Sequence, residues 1–122
     1  MTTIAPSATR TYNLGPAELV PLGEGRRFQI GHIPVAVFRT RDGKLFATQA
    51  ACPHKSGPLA DGIVGEGKVI CPLHAYKFDL GTGQPVGNAC KALKTYAVAV
   101  SDTGDILLSL DEQHLAPAAG ET

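Results

Sequence analysis

Hydrophobic positions along this chain recur at the spacing of short strands, and turns interrupt them every few residues. Ile33 to Phe38 is almost continuously apolar, with β-branched and aromatic side chains, which predicts a strand buried on both faces. Tyr76, Phe78 and Leu80 alternate with Lys77 and Asp79, the period of two of a half-buried strand. Leu93 to Val100 sets Tyr96, Val98 and Val100 on one face, and Ile106 to Leu110 follows as a closing strand. Further strands are predicted at Arg10 to Leu14, Arg27 to Ile30, Leu45 to Gln49, Ile63-Val64 and Lys68 to Ile70. Gly15-Pro16, Gly31-His32, Gly65-Glu66-Gly67, Gly81-Thr82-Gly83 and Asp102-Thr103-Gly104-Asp105 break the chain between them. Arg41-Asp42-Gly43-Lys44 is a hairpin signal in which Asp-Gly supplies residues that tolerate positive φ. Ala17 to Leu19 reads as a single turn, and no stretch carries helical periodicity. The pattern predicts a small all-β antiparallel sandwich or barrel in which two hairpins present two loops at one end.

Composition narrows this picture. A chain of 122 residues is one domain with room for a single core. Lys plus Arg and Asp plus Glu are 11 each, so no basic field points to nucleic acid, and any partner is met through a local patch. No run reaches the ~18 apolar residues of a membrane helix, and Met1 to Arg10 lacks the apolar block of a secretory signal. Three cysteines is an odd number, which disfavours a disulfide framework and fits reduced thiols in the cytoplasm. The expected organisation is a flexible tail over residues 1–9, one domain over 10–111 and a second flexible tail over 112–122. Within the domain the two chemistry-bearing loops fall at about 50–62 and 70–79.

Those loops contain Cys52-Pro53-His54 and Cys71-Pro72-Leu73-His74, a Cys-x-His and a Cys-x-x-His with sixteen residues between them. Each supplies one thiolate and one imidazole. A [2Fe–2S] centre in which two cysteines bind one iron and two histidines bind the other needs this set. Zinc also accepts two cysteines and two histidines, so a zinc-stabilised interaction module is the alternative on the residues alone. Zinc sites usually draw their cysteine pair from one loop and their histidine pair from another, whereas here each loop mixes the two.

The stretch Cys52-Pro53-His54-Lys55-Ser56-Gly57-Pro58-Leu59, then Asp61-Gly62-Ile63-Val64, then Cys71-Pro72-Leu73-His74, resembles a Rieske [2Fe–2S] domain. The resemblance implies the Rieske-type antiparallel β-sandwich with a small cluster-binding subdomain, with Cys52, His54, Cys71 and His74 as ligands of a [2Fe–2S] cluster. Ala36-Val37-Phe38-Arg39-Thr40-Arg41-Asp42-Gly43, and Cys90 followed by Leu93-Lys94-Thr95-Tyr96, are most similar to the small subunit of assimilatory NAD(P)H nitrite reductase. That likeness implies a large flavin, siroheme and iron–sulfur subunit as partner. Phe78-Asp79-Leu80-Gly81-Thr82-Gly83 is also similar to Rieske ferredoxins, which implies a ferredoxin reductase and a terminal ring-hydroxylating oxygenase instead. Either way the implied activity is single-electron transfer, with no catalytic residue of the chain's own.

Respiratory Rieske proteins carry a further cysteine in each loop, joined as a disulfide, at the positions of Gly57 and Leu73. They also carry sulfur-directed hydroxyls at the positions of Tyr76 and Phe78. Lacking that bridge and those groups, the centre is expected near the bottom of the Rieske range of roughly −150 to +300 mV. Ala75 stands where most Rieske proteins have glycine. Among the remaining residues, Cys90 reads as a partly buried small hydrophobe, and His32 and His114 as solvated. Lys55 and Lys77 are candidates for a basic rim. Pro53, Pro58 and Pro72 are expected to stiffen the loops, and Gly57 and Gly62 to allow close turns or positive φ.

Overall fold

The computed structural model describes residues 9–53, 57–73 and 75–111. The expectations for His54, Lys55, Ser56, His74, His114 and the two tails, apart from Thr9, which opens the first strand, therefore lie outside the described residues. Within them the chain forms ten strands: β1 Thr9–Pro16, β2 Glu24–Ile30, β3 Ile33–Arg39, β4 Leu45–Gln49, β5 Ile63–Gly65, β6 Lys68–Ile70, β7 Lys77–Asp79, β8 Pro85–Val86, β9 Thr95–Val100 and β10 Asp105–Asp111. Two short 3₁₀ turns, Ala17–Leu19 and Leu59–Asp61, are the only helical segments among the described residues.

Six strands make one antiparallel sheet in the order β1-β10-β9-β4-β3-β2. The other four make a smaller antiparallel sheet, β5-β6-β7-β8, inserted between β4 and β9. The all-β expectation with a small subdomain therefore holds, and that insertion contains both Cys loops.

β3 explains its unbroken apolar run. Val35 and Val37 enter one core with Val20, Ala47, Ile106, Leu108 and Leu110. Ala36 and Phe38 enter a second core with Cys52, Leu59, Val64, Val69, Cys71, Phe78, Leu80 and Leu93. The strand is a wall shared by both, so neither face can be polar. Each fully buried Leu or Phe contributes about 1.5–3 kcal/mol. The second core is thus what fixes the small sheet to the large one.

Several expectations change in detail: β2 begins at Glu24 and not at Arg27, β7 spans Lys77–Asp79 and not Tyr76 to Leu80, and β9 begins at Thr95 and not at Leu93. The strand predicted at Arg10 to Leu14 runs on through Gly15-Pro16, because a register shift between Asn13 and Pro16 lets Pro16 still pair with Asp105. Val100 is half-exposed, although Tyr96 and Val98 of the same face pack on the first core. At the β3–β4 hairpin only Gly43 has positive φ, at 88°. Gly43 N–H bonds Thr40 O at 2.9 Å and Thr40 N–H bonds Lys44 O at 2.8 Å, the pattern of a type I turn closed by a bulge. Ser101, Gly104 and Asp105 repeat these bonds at the β9–β10 hairpin.

Candidate metal centre

Both cysteines begin a loop closed in the same way. Cys52 N–H donates to Gly57 O at 2.8 Å, and Cys71 N–H donates to Tyr76 O at 2.7 Å. In each case the acceptor lies five residues on, so the backbone at the cysteine is tied to the residue where its loop returns. The first loop is anchored below by a bridge between Ala51 and Pro58 and by Leu59 N–H on Ala50 O at 3.0 Å. Buried Leu59 begins the 3₁₀ turn that leads the chain into β5. The second loop leaves β6 and enters β7, with Pro72, Leu73 and Ala75 exposed to solvent.

The thiols themselves are not exposed. Cys52 is 2% and Cys71 1% accessible, and both belong to the second core. None of the three cysteines is in a disulfide. Leu73 N–H points at Cys71 Sγ, 3.4 Å away. Cys90, as expected, is partly buried and packs against the same core. His32 is exposed in its turn, and Lys77 is half-buried in β7.

The two loops touch through Gly57. A β-carbon built there would lie 2.7 Å from Cys71 Sγ and 3.2 Å from Leu73 Cγ and Cδ1. One leg of the first loop thus passes directly beside the thiol of the second, and only glycine leaves room. Gly62 approaches the C=O of Ile70, the residue before Cys71, more closely still. Neither glycine has positive φ, and Gly62 sits at −77°, so close approach and not turn conformation is what both positions require. The positive φ falls on Ala75 instead, at 58°. At Gly57 and Leu73, where the resemblance places a disulfide in respiratory proteins, the space a Gly57 β-carbon would occupy is bounded by the Leu73 side chain.

This arrangement fits an iron–sulfur cluster. Two thiols buried in the same apolar core are poor places for free thiolates, since burying a charge is costly without a counter-charge. Ferric iron would take such thiolates as anionic ligands, and the Leu, Val and Phe side chains of that core would keep water from the sulfur. His54 and His74 lie outside the described residues; among those described, no three His, Cys, Asp or Glu side chains gather at one point. Sequence reasoning did not single out Gln49 and Asn88, whose side-chain amides hold the segment beside this core. No sequence signal marks them, because their partners are main-chain atoms, of which Gln49 reaches one 45 residues away.

Comparison with known proteins agrees with this reading. The Rieske [2Fe–2S] domain family matches residues 10–97. The ferredoxin component of biphenyl 2,3-dioxygenase from Rhodococcus jostii is 36% identical over 95 residues, covering 77% of this chain and 86% of that protein. The oxygenase component of dicamba O-demethylase from Stenotrophomonas maltophilia is 46% identical over 55 residues, but this chain spans only 16% of its length. Among solved structures, a chain assigned as the small subunit of an NADH-dependent nitrite reductase from Mycobacterium tuberculosis superposes with a TM-score of 0.78 at 21% identity. That superposition covers 84% of this chain and 96% of the other. A chain from the complex of reduced oxygenase and oxidised ferredoxin in carbazole 1,9a-dioxygenase gives 0.72 at 28% identity, over 81% and 92%. From its match over most of its length and from the paired thiol loops, the chain belongs to the Rieske [2Fe–2S] domain family, and its cofactor is the Rieske [2Fe–2S] cluster.

Proposed function

We propose that this chain is a ferredoxin-type electron carrier, with Cys52 and Cys71 on one iron of the cluster and His54 and His74 on the other. The observation that carries the ligand assignment is the shared construction of the two loops. Each opens on a buried cysteine that forms no disulfide and whose N–H donates to the carbonyl five residues on, and in the sequence a histidine follows each cysteine within that span. When bound, the cluster supplies a one-electron couple. The chain's own residues do the rest. Leu73 N–H offers a hydrogen bond to the Cys71 sulfur, and the Leu59, Val69, Phe78 and Leu93 side chains exclude water from it. The exposed Pro72 and Leu73 present the second loop to a partner.

The ferredoxin reading is favoured by the biphenyl dioxygenase component, most of whose length this chain covers. In this reading the partners are a ferredoxin reductase and a terminal oxygenase. A second reading, the small subunit of an NAD(P)H nitrite reductase acting with a large subunit that reduces nitrite to ammonium, rests on the resemblance of Ala36 to Gly43 and of Cys90 with Leu93 to Tyr96. In both, the reaction is single-electron transfer and the substrate chemistry belongs to another chain. Among the described residues no helix is long and apolar enough to cross a membrane.

The test combines spectroscopy with partner exchange. Reconstituted protein should show iron and sulfide in equal amounts and an EPR signal on reduction. Cys52→Ser, Cys71→Ser, His54→Ala and His74→Ala should each lose it. A colourless protein holding zinc would end the assignment. Reduced by a ferredoxin reductase, the protein should restore turnover of a ring-hydroxylating oxygenase. Failure there, with retention on an immobilised nitrite reductase large subunit, would transfer the reading to the second partner.

A further inference from the structure

We infer that Gln49 is a positioning residue for the Cys52 ligand, and that it does this while pinning the segment of residues 87–94 against the cluster core. The inference rests on the proposed ligation by Cys52 and Cys71. Gln49 ends β4, three residues before the thiol. Its Nε2 donates to Ala51 O at 2.7 Å. That carbonyl belongs to the same peptide unit as the Cys52 N–H, which donates to Gly57 O at 2.8 Å. Because the peptide is planar, its C=O and N–H cannot turn independently. Holding both, from opposite edges, fixes the plane from which the Cys52 side chain projects. Gly57 is itself the residue that abuts Cys71 Sγ, so the Gln49 bond reaches both sulfurs within one short chain of contacts.

The other end of the same carboxamide faces the 87–94 segment. Lys94 N–H donates to Gln49 Oε1 at 2.8 Å, and Gln49 N–H donates to Lys94 O at 2.9 Å. Both polar backbone atoms of Lys94 are therefore held by one residue. Leu93 N–H donates to Gly83 O at 2.7 Å, and the Leu93 side chain is buried with Cys52 and Cys71. At the far end Asn88 plays the corresponding part. Its Nδ2 donates to Lys77 O at 3.1 Å and Val86 O at 3.3 Å, while its Oδ1 accepts from Cys90 N–H at 2.9 Å. Residues 87–94 contain no strand. They are kept in place by two side-chain amides and by Cys90 and Leu93, which pack against the core containing both thiols. Glutamine is suited to the central position because one neutral group donates and accepts at once; leucine or methionine would fill the space and leave Ala51 O and Lys94 N–H without these partners.

The experiment compares three full-length holoproteins with the parent. Gln49→Met removes both side-chain bonds at similar volume. Gln49→Glu keeps the acceptor for Lys94 N–H and loses the donor to Ala51 O. Ser101→Ala removes the hydroxyl that accepts from Asp105 N–H at 3.0 Å, at the β9–β10 hairpin, and serves as a purely structural comparison. Gln49→Met should alter the EPR line positions of the reduced cluster and release iron to a chelator about tenfold faster, the scale of one or two hydrogen bonds. Gln49→Glu should shift the EPR lines with a smaller gain in release rate. Ser101→Ala should lower the melting temperature and leave the EPR lines in place. If Gln49→Met does not fold, Gln49→Glu against Ser101→Ala decides the matter. EPR lines of the Gln49 variants that superimpose on the parent, with release rates that follow melting temperature as in Ser101→Ala, would reduce Gln49 to a structural bond and overturn the inference. A parent without the EPR signal would instead overturn the ligand assignment, and the inference with it.

Discussion

Adding one methyl group at Gly57 measures how closely the two cysteine loops approach. Gly57 is buried and does not adopt positive φ, so its backbone alone would accept alanine, and the less flexible unfolded chain would then raise stability by about 0.4–1 kcal/mol. Packing opposes this. The new β-carbon would stand 2.7 Å from Cys71 Sγ and 3.2 Å from two Leu73 carbons, where favourable contacts lie at about 3.5–4.0 Å. The sulfur is the worse contact, and it is not the end of a long flexible side chain. Overpacking of this kind costs about 1–3 kcal/mol. The net effect is a loss of about 1–2 kcal/mol in the cluster-free protein, a fall of roughly 4–12 °C in melting temperature. With the proposed ligation, the Cys71 sulfur would have less freedom to retreat in the loaded protein, so cluster content should fall further than stability does. Thermal unfolding by circular dichroism and iron per chain after reconstitution read the two effects separately. A Gly57→Ala protein that melts at or above the parent temperature and loads fully would show only the backbone effect, and the loops would then not be in contact.

Other substitutions test other parts of the structure. Ala75 lies in the left-handed region at φ 58°, so Ala75→Gly should raise stability by about 0.5–1 kcal/mol, roughly 2–6 °C in a thermal melt; a lower melting temperature would contradict the turn geometry. Asp42 titrates below its ordinary 3.8, chiefly because the Thr40 hydroxyl donates to its carboxylate and secondly because Lys44 is near. A depressed folded value means stability that is present at neutral pH and lost as pH falls through that value. Asp42→Asn should therefore flatten this part of the acid-side loss below about pH 4, seen by comparing melts from pH 6 to pH 2. Removing the cluster with chelator under reducing conditions should lower the melting temperature, because Cys52 and Cys71, proposed above as its ligands, lie in the shared core. A midpoint below zero by redox titration is expected from the absence of a loop disulfide, with Gly57 and Leu73 at those positions.

What the sequence displayed and what it concealed divide along the range of the interactions. The Ile33 to Phe38 run announced a strand buried on both faces because local side-chain chemistry is all that such a strand needs. The cysteine and histidine motifs were equally plain, being short and made of uncommon residues. The β1 boundary was not, since Gly15-Pro16 breaks a pattern locally while Asp105, far along the chain, restores the pairing. Pro85–Val86 is too short to show any period. Gly57 was visible as a glycine, but its reason, a sulfur fourteen positions away in sequence, was not. Ala75 shows how the two kinds of information combine. A residue that disfavours the left-handed conformation keeps it here, at φ 58°. It is followed by Tyr76, whose carbonyl closes the loop on Cys71 N–H at 2.7 Å, and then by Lys77, paired with Ile70 in the sheet. Turn and sheet together leave the intervening backbone little choice. Strain of about 1 kcal/mol at one residue is small against the burial of Phe78 and Leu80 just beyond it. The loop geometry is therefore imposed by the core that the thiols share, and the residue at position 75 only sets how much strain it carries.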